Sequence, residues 1–400
     1  MRIQHDTHLS YCTNIHAGES WPDVLQSLKE YCLPLKEALS PDAPFGIGLR
    51  LSNQSAEQLK EEATLKAFKD WLDAHGLYVF TMNGFPFGDF HFTSVKDKVH
   101  HPDWTTSERL NYTKHLFDIL AQLLPEGLDG GVSTSPISYK YWHASEADLE
   151  QAKLRACEQM LDLVEHLIPI KLATGKVLHL DIEPEPDGIL EDCAGFIQFY
   201  KEYLLKIAAP ELARRRAIPL DQAEDHIRDH IQLCYDVCHF AVGFESPSEV
   251  IDAIEALDIG VGKIQISAAL KAALGQDDTA VVQALAPFNE STYLHQVTLR
   301  DEEDQLSYYP DLGEGLDALK TAQYQELRTH FHVPIFTEAY GVLQSTQDQI
   351  VETLQLWKKR PFTKHLEVET YTWEVLPVTD KLPLRDSIER ELKWVLGVLK

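Results

Sequence analysis

Three segments of the chain carry carboxylates and imidazoles at spacings suited to metal chemistry. In Val177 to Glu183, the residues His179, Asp181 and Glu183 alternate with Leu178, Leu180 and Ile182. An extended segment would therefore show one charged face and one apolar face. In His365 to Trp373 one face carries His365, Glu367, Glu369, Tyr371 and Trp373, and the other Leu366, Val368, Thr370 and Thr372. In Ile231 to Asp236 the residues Gln232, Cys234 and Asp236 align, and His239 follows Asp236 by three. His330 and His332 share a face of the run HFHVPIF. Such groups are costly to bury unpaired, and a divalent ion removes that cost. Mixed oxygen and nitrogen ligation suits Mn²⁺, Mg²⁺, Co²⁺ or Zn²⁺.

The candidate metal ligands are Glu183, Asp236 and Glu369, with His332 or Gln265 as the further donor. Plainer readings stand beside each. Glu183 before Pro184 could cap a turn, and Asp236 with His239 could form a strand-end turn. Glu367 or Glu369 could be a salt-bridge partner, His332 a core histidine, and Gln265 a structural amide. Cys234 and Cys238 read as small buried apolar residues. Phe85, Phe87 and Phe90 form a cluster that reads as a pocket wall or as packing. Arg50, Asn83, Phe85, Phe87, His295 and Trp373 are the candidate substrate contacts. His295 and Arg300 could also meet an anion.

These residues need a frame that turns several strands toward one point. Ten runs read as strands: His8 to Asn14, Phe45 to Ser52, Leu77 to Gly88, Gly130 to Pro136, Val177 to Pro186, Ile231 to Phe240, Gly262 to Ser267, His295 to Leu299, His330 to Phe336 and His365 to Trp373. Helical patterns separate most of them. Ser145 with Asp148 starts one helix, reaching about Ile168, in the manner of a capping box. The first helix repeats apolar residues at Val24, Leu28, Tyr31, Leu35 and Leu39, and the last at Ile388, Leu392, Val395 and Leu399. Strand–helix alternation implies a parallel sheet with helices outside. Eight such strands close a (β/α)8 TIM barrel, whose chemistry sits at the C-terminal ends of the strands. One or two candidates then belong to an insertion between the late strands, roughly 268–334, within a single domain spanning 1–400. An open doubly wound sheet is the alternative, but no G-x-G-x-x-G follows a first strand.

The formal net charge of −27 over 400 residues opposes binding to phosphate backbones, and no basic stripe offsets it. Six scattered cysteines without a C-x-x-C pair point to a reducing compartment. No apolar run is long enough to span a bilayer, and the first residues lack the apolar core of a signal peptide. A cytoplasmic protein is the expectation.

The combination of Glu183-Pro184 at a strand end, Asp236-x-x-His239 and a late-strand Glu369 resembles the xylose-isomerase-like barrel superfamily, which includes sugar isomerases, ketose epimerases and endonuclease IV. That resemblance implies one divalent metal held by a strand-end Glu, an Asp, a His and a final-strand Glu. Glu183, Asp236 and Glu369 match three of these. The strand after Asp236 carries Gln265 where the superfamily commonly has His; the later run HFHVPIF offers His332 as the imidazole, and the alternative is a weak or absent metal. More closely, Tyr11 to Trp21 (YCTNIHAGESW), FGIGLRLS, NGFPFG, HFHVPIF and HLEVETYTW resemble the metabolite-traffic protein EboE family. That likeness implies a role in maturing or exporting a metabolite precursor, with other ebo-cluster proteins as possible partners. The expected function is a metal-dependent isomerase or epimerase on a sugar, sugar phosphate or cyclitol-like metabolite, with Glu183 and Glu369 as acid and base and His239 positioning a substrate oxygen. A non-catalytic metabolite-binding protein on the same fold is the alternative. An endonuclease-like role is disfavoured by the charge.

Overall fold

The computed structural model describes residues 1–91, 94–374, 376 and 382–400. Fourteen strands occur among the described residues. In chain order they are β1 (His8–Tyr11), β2 (Phe45–Arg50), β3 (Leu77–Asn83), β4 (Gly130–Thr134), β5 (Leu178–Ile182), β6 (Ile231–Asp236), β7 (Val261–Ile266), β8 (Ala268–Ala273), β9 (Val297–Arg300), β10 (Leu306–Tyr309), β11 (Glu326–Val333), β12 (Ala339–Tyr340), β13 (Leu343–Ser345) and β14 (His365–Val368).

Eight of them form a sheet in the order β1-β14-β7-β6-β5-β4-β3-β2, with every pairing parallel. A parallel bridge between Cys12 and Gly48 joins the two ends, so the sheet closes on itself as a TIM barrel. The period-2 pattern explains the layering. Leu178, Leu180 and Ile182 of β5 pack outward under helices and are fully buried. The alternate side chains fill the lumen. That lumen is polar in its middle layer: Lys263 Nζ donates to Glu367 Oε2 at 2.7 Å, with both side chains fully buried. Glycine makes room for the pair. A Cβ on Gly48 would stand 1.7 Å from Glu367 Oε1.

The helices start where local chemistry allows. Ser145 accepts from the Asp148 amide, as the sequence suggests, but the helix runs from Glu146 to Thr174, past Ile168 and through Pro169. It stops at Gly175, whose φ of 73° is a left-handed conformation that favours a residue without a Cβ. The last helix, Leu384–Leu399, buries the four expected apolar positions.

The remaining six strands form an antiparallel sheet in the order β10-β9-β11-β8-β13-β12. It is an insertion between β7 and β14. Strand β8 begins just past the end of β7, separated only by Ser267, and the inserted sheet continues past Pro334 to Ser345. The runs HQVTL and HFHVPIF therefore lie in this sheet, as parts of β9 and β11. Strand β8 escapes a sequence reading because AALKAA is alanine-rich and lacks a strand pattern. Strands β10, β12 and β13 are too short to show one. Hydrogen bonds tie the inserted sheet to the C-terminal mouth of the barrel, three of them close to the site. Gln296 donates to the Pro186 carbonyl at 3.0 Å, His332 Nδ1 donates to the Glu369 carbonyl at 3.0 Å, and Thr372 Oγ1 donates to the His332 carbonyl.

Candidate metal centre

Asp236 ends β6 and caps the short helix Val237–Val242. Its Oδ1 accepts from the amides of Cys238 (2.8 Å) and His239 (3.2 Å) and from Ser267 Oγ (2.7 Å). The D-x-x-H spacing is thus an N-cap that holds His239 in the first turn. Oδ2 of Asp236 is buried and has no partner among the described residues.

The two imidazoles are prepared in the same way. His239 Nδ1 lies 3.0 Å from the Pro184 carbonyl, and His332 Nδ1 lies 3.0 Å from the Glu369 carbonyl. A carbonyl only accepts, so each Nδ1 carries the proton and each Nε2 keeps a lone pair. His332 Nε2 is buried without a partner among the described residues. His239 Nε2 stands 4.0 Å from both Asp236 Oδ2 and Glu185 Oε2. Backbone bonds of this kind fix the tautomer and orientation of metal-binding histidines.

Glu369, just past β14, is held by three amides. Asn14 (2.7 Å) and Asn83 (3.0 Å) donate to its Oε1, and Gln265 (2.7 Å) donates to its Oε2. Gln265 also accepts from the Cys234 thiol at 2.7 Å, so both ends of its amide are engaged. It therefore positions Glu369 rather than standing as a free donor. Glu183, just past β5, is buried; His239 Nδ1 stands 3.6 Å from its Oε1, and the Cys234 thiol is 3.7 Å from its Oε2.

Ligand atoms of Glu183, Asp236 and Glu369 lie within 4.8 Å of one another, as do those of Asp236, His239 and His332. Burial, and then the charges of Glu369 and Asp236, push the Glu183 carboxyl well above the usual carboxylate range. Burial, then Asp236 and Glu367, do the same to Glu369. Burial also pushes Asp236 upward, but His239, His332 and the hydrogen bonds from Ser267 and the His239 amide outweigh it and hold Asp236 below its ordinary value. Burial lowers His332 against the pull of Asp236, which favours the neutral, ligating imidazole. Two orphaned donor atoms, two further carboxylates and a second imidazole at these separations fit a divalent ion.

The cleft above this cluster is lined by Asn14, Asn83, Phe85, Glu183, Glu185, His239, His330, His332, Glu369 and Tyr371. Phe90, Tyr293 and Tyr371 roof it, with ring centroids 5.2 to 5.4 Å apart. Asn83 and Phe85 therefore sit where the sequence suggests. Four other candidates do not line this cleft. Arg50 makes a two-pronged pair with Glu19 (2.9 and 3.0 Å) and donates to the Gly88 carbonyl, so it clamps loops together. Phe87 packs edge-on against Tyr112 at 5.1 Å and faces a separate cleft. His295 is engaged by Glu290 (2.9 Å) and the His330 carbonyl (3.0 Å). Trp373 is buried, 6.3 Å from the Phe336 ring. Arg300 pairs with Glu326 in the inserted sheet and is not in the cleft.

Asn14, Glu185, His330, Tyr293 and Tyr371 were not read from the sequence as site residues. Asn14 and Glu185 had a signal, since each lies just beyond a barrel strand end. Tyr293 had none, because only the inserted sheet brings it over the mouth.

No protein-family model matches the chain, and no curated protein matches it. Solved structures do resemble it. A xylose isomerase-like TIM barrel protein from Mycobacterium smegmatis, in complex with magnesium, is 12% identical, with 100% of this chain and 98% of that chain covered and a TM-score of 0.52. A D-tagatose 3-epimerase-like protein is 10% identical, with 98% of each chain covered and a TM-score of 0.47. A xylose isomerase domain protein from Planctomyces limnophilus is 14% identical, with 92% and 91% covered and a TM-score of 0.46. The likeness to the first shows the fold: this chain is a TIM barrel.

Proposed function

We propose that the chain is a divalent-metal-dependent isomerase or epimerase acting on a sugar, sugar phosphate or cyclitol-like molecule. The observation that carries the reading is a pair of buried atoms without a partner among the described residues, Asp236 Oδ2 and His332 Nε2, at the barrel mouth where Asp236 groups with Glu183 and Glu369 on one side and with His239 and His332 on the other. Glu183, Asp236, His332 and Glu369 hold the ion, with His239 beside them. When bound, such an ion polarises substrate oxygens and acidifies the C–H between them. Glu183 and Glu369 then exchange that proton as base and acid. Glu183, with the fewest hydrogen bonds, is the more mobile carrier, and Glu369 is held rigid by Asn14, Asn83 and Gln265. His239 orients a substrate oxygen. Phe85, Phe90 and Tyr371 exclude water from the reacting atoms.

The likeness to the EboE family adds a pathway, the maturation or export of a metabolite alongside other ebo-cluster proteins. That part rests on the sequence blocks alone, and a cytoplasmic location rests on composition and cysteine usage. Among the described residues no helix is long and apolar enough to cross a membrane. A non-catalytic metabolite-binding role is the second reading. It is favoured by the three amides on Glu369, which occupy most of the lone pairs a proton carrier needs.

The test is exchange of substrate C–H for deuterium from D₂O, across a ketose, sugar-phosphate and cyclitol panel, by protein loaded with Mn²⁺, Mg²⁺, Co²⁺ or Zn²⁺. Metal-dependent exchange abolished in Glu183→Gln supports the isomerase. Tight binding of a panel member with no exchange would move the assignment to the binding role.

A further inference from the structure

We infer a second metal site at the opposite, N-terminal floor of the barrel, formed by Asp129, His179 and His365 and suited to a zinc-type ion. His365 opens β14, His179 is the second residue of β5 and Asp129 directly precedes β4. Glu369 lies four residues beyond His365, so the floor is about 13 Å from the mouth along the strand. The inference does not rest on the reading of the mouth.

Each of the three residues offers a ligand atom within 4.8 Å of the other two. His365 is 1% exposed, and neither of its ring nitrogens has a hydrogen-bond partner among the described residues. An imidazole always carries at least one N–H or a lone pair at each nitrogen, and leaving them unmet in the interior costs about 1–3 kcal/mol. Asp129 Oδ1 faces His365 Nε2 at 3.6 Å. That is too long for a hydrogen bond. It is close to the roughly 3.4 Å between two nitrogen or oxygen ligands on a tetrahedral ion with bonds near 2.05 Å. His179 Nδ1 is held at 2.6 Å by Asp181 Oδ1, the carboxylate–imidazole arrangement that fixes a ligating ring and leaves its Nε2 as the free donor. His8, in register with His365 on β1, also has a buried Nε2 without a partner among the described residues.

The surroundings favour a structural role. The Asp129 side chain is 33% exposed, so an ion enters from the N-terminal face and water completes its coordination. In the strand order, β14 is separated from β4 and β5 by β6 and β7 on one side and by β1, β2 and β3 on the other. An ion shared by these strands ties opposite walls of the barrel together.

The test counts metal in the full chain, stripped with chelator, reloaded with Zn²⁺ and dialysed, by elemental analysis. The variants are Asp129→Ala, His365→Gln, Asp236→Asn and the double Asp129→Ala/Asp236→Asn. The expected result is two equivalents in the parent, one in each single variant and none in the double. Asp236→Asn should also show a Zn²⁺-dependent rise in Tm that the double variant lacks. Asp129 is partly exposed, so its alanine variant keeps the protein foldable if His365→Gln does not. Unchanged zinc in Asp129→Ala, or no Tm response in Asp236→Asn, overturns the floor site. Full zinc in Asp236→Asn with one equivalent lost in Asp129→Ala supports the floor and sinks the mouth.

Discussion

Glu183→Gln should make the metal-free protein more stable and remove the mouth's response to metal. Glu183, Asp236 and Glu369 place carboxylate oxygens within 4.8 Å of one another. Two unit charges at that separation repel by about 3.5 kcal/mol at an effective dielectric of 20. Asp236, whose own value is held low, is such a neighbour, and burial adds to its repulsion, so the Glu183 carboxyl takes up a proton instead. Its folded-state value lies above the ordinary 4.5, through burial first and then its acidic neighbours. The contribution to stability is therefore whole below pH 4.5 and is lost as pH rises through the folded value. The penalty is capped by the cost of keeping the proton on, about 1.4 kcal/mol per pH unit above 4.5. That is roughly 3 kcal/mol at pH 7 and under about 1 kcal/mol at pH 5. Glutamine avoids the charge but must place its own amide, so a gain of about 2 kcal/mol is expected at pH 7 and little at pH 5. Urea unfolding at both pH values, with and without Mn²⁺, measures this. Mn²⁺ at a hundredfold excess over the mouth's Kd should add about 2.7 kcal/mol more to the parent than to the variant. A variant less stable than the metal-free parent at pH 7, or one that Mn²⁺ stabilises equally, would refute the reasoning.

Three other outcomes follow from named contacts. Glu367→Gln strands the buried Lys263 ammonium and should cost about 3–5 kcal/mol in urea unfolding, while Lys263→Met/Glu367→Gln should recover more than half of that. A double variant as unstable as the single would show that the pair is not coupled. His332→Ala should lose the mouth's metal, whereas Gln265→Met, which only releases Glu369, should weaken the mouth's affinity about 10–100-fold in a chelator competition. Equal losses would make Gln265 a ligand. Glu391, held by Thr370 Oγ1 and the Ile335 amide, is pushed up to about 8 by burial. Stability should therefore fall as pH rises from about 4.5 toward 8, and Glu391→Gln should flatten that slope in thermal scans. An unchanged slope would place the titration elsewhere.

Much of the site was legible because its signals are local. Period-2 alternation decides which side of a strand a residue occupies, so Glu183 and Glu369 could be placed on the lumen face of their strands without a partner in view. Asp236-x-x-His239 is a helix cap, again a matter of four consecutive residues. The barrel was legible for the same reason, since strand–helix alternation permits few closures.

What the sequence determined by itself is this local layer: the strand faces, the helix start at Ser145 and three carboxylates at strand ends. Tertiary structure decided who meets them. His332 reaches the cluster because the inserted sheet lies over the mouth and β11 is bonded to the exit of β14, a pairing no short window contains. Gln265 reads as either a ligand or a structural amide in sequence, and its register beside Glu367 and Asp236 sets it between Cys234 and Glu369 as a clamp. Arg50 looks free until Glu19 engages it, and Trp373 looks like a cleft wall until it turns into the interior. Local backbone sterics set the first kind of fact. The second depends on contacts between residues far apart in the chain, whose loop entropy is offset only when the whole barrel closes.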